Sequence, residues 1–147
     1  MKRMLIVSLI AITVCSVPVN AQSLTDGYFT FILPDQYEES SVNSYFYTSE
    51  KGSVLFDTLD SSGIDTEDEF KSYLEAFGHS FTTTSYSYTI SYGTKSGMHY
   101  IKYHGFDDKG MIDFLAVATE EQGLTVYCLN AADAAESIFN SILISTE

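Results

Sequence analysis

The chain has 147 residues, with 7 Lys and Arg against 20 Asp and Glu and a formal charge of −13. That balance repels nucleic acid and anionic lipid, so neither is expected as a partner, while cationic partners stay open. The length suits one domain, and a chain of this size buries roughly two-thirds of its unfolded surface, so folding requires no metal or disulfide.

Lys2 and Arg3 precede an apolar run from Met4 to Val17, Pro18 breaks it, and Val19-Asn20-Ala21 offers residues a signal peptidase accepts. This predicts a secretory leader over residues 1–21, with cleavage before Gln22. The 14-residue run is shorter than the roughly 20 apolar residues of a membrane span. Cys15 follows Val14, where a lipidation site wants a small residue. The expected localisation is secreted or periplasmic, with no membrane insertion after cleavage. The remaining domain, residues 22–147, carries 5 Lys, no Arg and a formal charge of −15. Its one cysteine, Cys128, cannot form an internal disulfide. Cys128 alternates onto the face of Leu124 and Val126, which predicts a buried, inert thiol.

Tyr28 to Leu33 is aromatic and β-branched and stops at Pro34-Asp35, as a strand does. Ser44–Thr48 and Ser53–Leu59 flank Ser49-Glu50-Lys51-Gly52, a hairpin signal with Gly52 expected at positive φ. Asp57 to Gly63 is a polar loop. Thr66-Glu67-Asp68-Glu69 forms a capping box, and Phe70, Tyr73, Leu74 and Phe77 follow on one helical face. Gly78 is expected to end this helix, with His79 at its C-terminus. Period-two alternation then predicts strands at Ser85–Tyr92, Met98–Phe106, Met111–Thr119 and Leu124–Leu129, joined by short glycine-bearing turns. Asn130 is the expected N-cap of a last helix whose apolar face runs from Ala131 to Leu143. The fold class is α+β: one antiparallel sheet of six to seven strands in βββ-α-ββββ-α order, flanked by two amphipathic helices.

This element order, with Phe29-Thr30-Phe31-Ile32-Leu33-Pro34 and Tyr37 at its start, resembles the PsbP-like fold family. That family holds the extrinsic photosystem II subunit and exported bacterial relatives. The resemblance covers nearly all of residues 22–147 through apolar pattern and element order. It implies a non-enzymatic accessory or binding module and carries over no individual functional residue.

No familiar catalytic signature, phosphate loop or Cys-x-x-Cys is present. His99 and His104 lie five apart on one expected strand and so face opposite sides of the sheet, which separates them as metal ligands. Asp57, Asp60 and Asp65 form the one loop with a calcium reading, although the spacing departs from an EF-hand. No cofactor is expected. Asp113 stands out as a carboxylate within an apolar strand, on the face of Met111, Leu115 and Val117. The 11 tyrosines are the most distinctive composition feature. Tyr86, Tyr88 and Tyr92 share one strand face and Tyr100 lies on the next strand, a candidate contact surface. The leading expectation is a non-catalytic exported domain that binds a protein or envelope component. The alternatives are a small-ligand carrier with a tyrosine-lined pocket between sheet and helices, and a hydrolase with a dispersed acidic site.

Overall fold

The centre of the molecule is a strand that is apolar on both sides. In Gly110–Ala118 (β8), Ile112, Phe114, Ala116 and Ala118 enter one core, and Leu115 and Val117 enter another. A strand with no solvent face must lie inside a sheet covered on both sides. The computed structural model, which describes residues 20–84 and 87–145 (of 80–84 the backbone alone), places it so. The leader expected over residues 1–21 lies outside the described residues except for Asn20 and Ala21.

The described residues form an α+β fold of two antiparallel sheets and two helices. Before the first helix come β1 (Ala21–Thr25), β2 (Phe29–Pro34), β3 (Glu38–Glu39), β4 (Phe46–Thr48) and β5 (Ser53–Leu59). Helix α1 (Glu67–Thr84) leads to β6 (Ser87–Lys95), β7 (Met98–Asp107), β8 and β9 (Gly123–Leu129). Helix α2 (Ala132–Ser141) and β10 (Leu143–Ile144) complete the fold. The larger sheet has seven strands in the order β3-β4-β5-β9-β8-β7-β6, and the smaller runs β1-β2-β10.

The single sheet expected from the sequence is therefore corrected to two. β2 leaves the main sheet and turns one fully buried face, Phe29, Phe31 and Leu33, towards it, while Thr30 and Ile32 on the other face are half-buried. It pairs with β1 and the short C-terminal β10, forming a second layer with α2. The last helix ends at Ser141, since Ile142 is extended and feeds β10. Helix α1 covers the opposite face, where Phe70 and Leu74 pack on Ile101, Tyr103 and Ile112.

Local signals explain most of the boundaries. The Thr66 hydroxyl accepts the Glu69 amide at 3.2 Å, and the Glu69 carboxylate accepts the Thr66 and Asp65 amides at 3.0 and 3.1 Å. Those donors hold the Glu69 carboxyl below its ordinary range. β6 and β7 are joined by Ser96 and Gly97 at φ 50° and 80°, the primed turn that suits a two-residue hairpin.

Three expectations fail because partners distant in sequence set the role of each residue. Gly78 does not end α1. It is buried inside the helix, where a Cβ would stand 3.3 Å from Ile101 Cδ1, and His79 sits within the helix rather than at its end. Gly52 lacks positive φ and is instead pressed on the β9 end, where a Cβ would lie 2.3 Å from the Asn130 carbonyl oxygen. Asn130 does not cap α2, whose N-cap is Ala131 without a side-chain bond. At φ 51°, Asn130 accepts the Met111 amide with Oδ1 at 3.0 Å and ties β9 to β8.

These packing roles predict that Gly52→Ala lowers unfolding free energy by about 1–3 kcal/mol, because backbone must yield. Gly78→Ala should stay within about 1 kcal/mol, since alanine favours a helix interior and the flexible Ile101 tip can move. Urea denaturation of both variants checks the pair; equal losses would contradict these assignments.

Candidate functional site

The two ends of the seven-stranded sheet are built differently. β3 has two residues, Glu38 and Glu39, both exposed. A short, charged edge resists pairing with other chains. β6 has nine residues, Ser-Tyr-Thr-Ile-Ser-Tyr-Gly-Thr-Lys. It contains no proline and no acid, and its one charge is the terminal Lys95. β7 bonds one side of it from Ser87↔Phe106 to Lys95↔Met98. Among the described residues no strand pairs its other side. Alternate residues of an antiparallel edge direct both N–H and C=O outward.

The structure divides the tyrosines expected to act together. Tyr86 lies outside the described residues. Tyr88 and Tyr92 stand on the α1 side of β6 and remain 47% and 41% exposed. Tyr88 stacks on Tyr103 at 5.9 Å. The Lys71 ammonium lies 5.2 Å from the Tyr92 ring centre. Burial first, then the Glu75 carboxylate, push the Tyr92 phenol above its ordinary value. Tyr100 is on the opposite face, edge-on to Phe139 of α2 at 5.0 Å. The reason is parity: Tyr100 pairs with Gly93, one residue beyond Tyr92.

His99 and His104 do face opposite ways. His99 stacks on Phe70 under α1. On the α2 side, His104 Nδ1 meets Asp113 Oδ1 at 2.7 Å across β7 and β8. The His104 side chain is 44% exposed and that of Asp113 17%, so the ring reaches water while the carboxylate is shielded. Asp113 Oδ2 is buried and receives no hydrogen bond among the described residues. Beside it lies a cleft of about 430 Å³ between α2 and strands β7–β9. Sequence reasoning flagged Asp113 and weighed His104 only against His99. The pairing was nonetheless encoded, since the two residues are equidistant from the two-residue Asp108-Lys109 turn.

Cys128 is Asp113's register partner on the other side. The order across the sheet is therefore His104, Asp113, Cys128, with the carboxylate in the middle. A nucleophile relay needs the imidazole between acid and thiol. Cys128 is fully buried, and burial pushes its thiol well above its ordinary value.

Asp57, Asp60 and Asp65, the residues of the calcium reading, do not come together. Among the described residues no three His, Cys, Asp or Glu side chains converge as a metal site. Asp60 Oδ1 accepts from the Ser62 amide and hydroxyl at 3.0 and 2.6 Å, and these bonds hold its carboxyl below the usual range. Buried Ser61 donates to the Thr119 carbonyl at 2.6 Å. The loop is thus pinned for structure. In a polar groove of about 810 Å³ near Tyr37 and Lys51, Asp133 accepts from the Tyr37 hydroxyl and the Gln36 side-chain amide, both at 2.6 Å. No protein-family model and no curated protein matches the chain.

The placement of Cys128 predicts that a water-soluble disulfide reagent modifies the native protein no faster than it unfolds, while the denatured chain reacts within minutes. Native labelling as fast as denatured labelling would contradict a buried, protonated thiol.

Proposed function

We propose that this chain is an exported, non-catalytic binding domain that recruits a partner protein by strand addition at β6. The observation that carries the reading is the contrast between the sheet's two edges. One edge is two acidic residues; the other is nine residues, five of them Tyr, Thr or Ile, and among the described residues no strand pairs its outer side. Main-chain bonds to a docked strand supply affinity, and side chains flanking the edge supply selectivity. Tyr88 and Tyr92 are those flanking groups, each an apolar ring with a polar tip.

Charge selects the class of partner. At −15 over residues 22–147, two copies of this domain repel, so the docked strand belongs to a neutral or basic protein. Export rests on the leader pattern. Cleavage before Gln22 retains four of the five β1 residues and the bond from Gln22 Nε2 to the Tyr37 carbonyl. The PsbP-like resemblance belongs to the same proposal, supported by a helix on each face of an antiparallel sheet. A non-catalytic role is supported by the buried Cys128 and the central position of Asp113 between it and His104.

A photocrosslinking residue at Ser91, with one at Lys51 near the other edge as control, tests this in the native host. A covalent adduct with a second protein should form from Ser91 and not from Lys51. Thr89→Lys together with Tyr88→Lys, which blunts the edge in the way natural sheets do, should reduce that adduct by about tenfold, a loss near 1.4 kcal/mol. Equal crosslinking from both sites, an adduct indifferent to the lysines, or a crosslinked homodimer would overturn the proposal.

A further inference from the structure

Gly93 is the one residue of β6 without a side chain, and its place on the α2 side is filled from the next strand. A Cβ at Gly93 would lie 2.8 Å from the Tyr100 hydroxyl and 3.0 Å from the ring carbons. The Tyr100 ring therefore lies across β6, as aromatic side chains do over strand glycines, and carries its phenol to the open edge. Among the described residues the one buried side-chain oxygen left without a bond is Asp113 Oδ2. The Tyr100 hydroxyl, which has no bond either, thus reaches water.

Two cations stand beside it. Phe139 is edge-on to Tyr100 at 5.0 Å. The Lys102 and Lys95 ammonium groups lie 4.2 and 5.0 Å from the Phe139 ring centre, and Lys95 also donates to the Phe139 carbonyl. Burial first, then the Lys102 charge, hold the Lys95 ammonium below its ordinary pKa. Neither lysine enters an ion pair among the described residues. The sequence around them is free of acid: no Asp or Glu occurs between Glu75 and Asp107, although the chain holds 20 of them. Asp113 and Glu136 line the cleft under α2, which contains no residue of β6. At physiological salt, charges beyond roughly 8 Å are largely screened. A group docked at Gly93 therefore meets these two cations rather than the net charge of the domain.

Main-chain geometry fixes the register. The two-residue turn at Ser96-Gly97 makes Lys95 and Met98 a hydrogen-bonded pair, so Tyr92 and Thr94 turn N–H and C=O outward on either side of Gly93. We infer that the strand docked on β6 places an acidic side chain opposite Gly93, its carboxylate accepting from the Tyr100 hydroxyl in the field of Lys95 and Lys102. A bond to a charged acceptor is about twice as strong as a neutral one. This inference rests on strand addition at β6 and adds the chemistry of the strand: Glu or Asp opposite Gly93, with apolar neighbours on the side of Tyr92. The protein that supplies the strand is still neutral or basic as a whole, since net charge steers approach and local charge acts at the contact.

Amide NMR of the isotope-labelled protein tests this, by titration at about 0.15 M salt with acetyl-Thr-Val-Thr-Val-Glu-Val-Thr-amide and with versions carrying Gln or Lys in place of Glu. Shifts should centre on Tyr92, Gly93 and Thr94. The Glu peptide should bind about fivefold more tightly than the Gln peptide, and the Lys peptide most weakly. Tyr100→Phe and Lys102→Met should each reduce the preference for Glu over Gln to about twofold or less, with binding of the Gln peptide unchanged. Loss of structure would instead weaken every peptide alike, so the ratio isolates the carboxylate contact. Equal binding of the three peptides, tightest binding of the Lys peptide, or a ratio unchanged in either variant would overturn the inference and leave strand addition standing. No shift along β6 with any peptide would overturn strand addition itself, and the inference with it.

Discussion

The structure depends on burying both faces of β8 and one face of its neighbour β9. Their side chains alternate between two cores, and neither core can form unless something covers each side of the sheet. Helix α1 covers one side; α2 and the three-stranded sheet cover the other. Seven strands span about 29 Å across, while a helix is about 10 Å broad. The sheet is therefore wider than a single helix can shield. Cover is complete at the middle strands and fails towards β6.

The β6 edge and the cleft under α2 both lie where cover runs out. β6 is the last strand, beyond the helix that packs over β7 and β8, so its outer edge and its tyrosines stay accessible. The cleft forms on the other face, where α2, ten residues long, or about 15 Å, leaves part of β7 and β8 uncovered. His104 and Asp113 sit within that gap. Polar side chains are tolerated there because the strand emerges from the apolar core. A sheet filled evenly with Val and Leu would have needed a longer helix.

Much of this was legible in the chain. The capping box at Thr66 and Glu69, the period-two strands from Met98 to Leu129 and the opposed His99 and His104 follow from local pattern, and the structure contains all of them. The errors lie at residues whose role is set by distant partners. Gly52 resembles a turn glycine, yet it answers to the backbone of Asn130. Gly78 resembles a helix stop, yet it answers to Ile101. β2 resembles a strand of the main sheet, yet it pairs with β1 and β10 in a separate layer. The tyrosines show the same limit. Parity places Tyr88 and Tyr92 together but cannot say that β6 is an edge, and the β6–β7 register separates Tyr100 from them. The His104–Asp113 pair was available from the symmetry of the turn at Asp108-Lys109.

Amide hydrogen exchange in the free protein measures directly where cover ends. Outer amides of β6 should exchange orders of magnitude faster than those of β8 and β9, which open only with global unfolding. Protection of β6 equal to that of β8 would mean that the edge is already covered in the isolated chain, and would contradict the account.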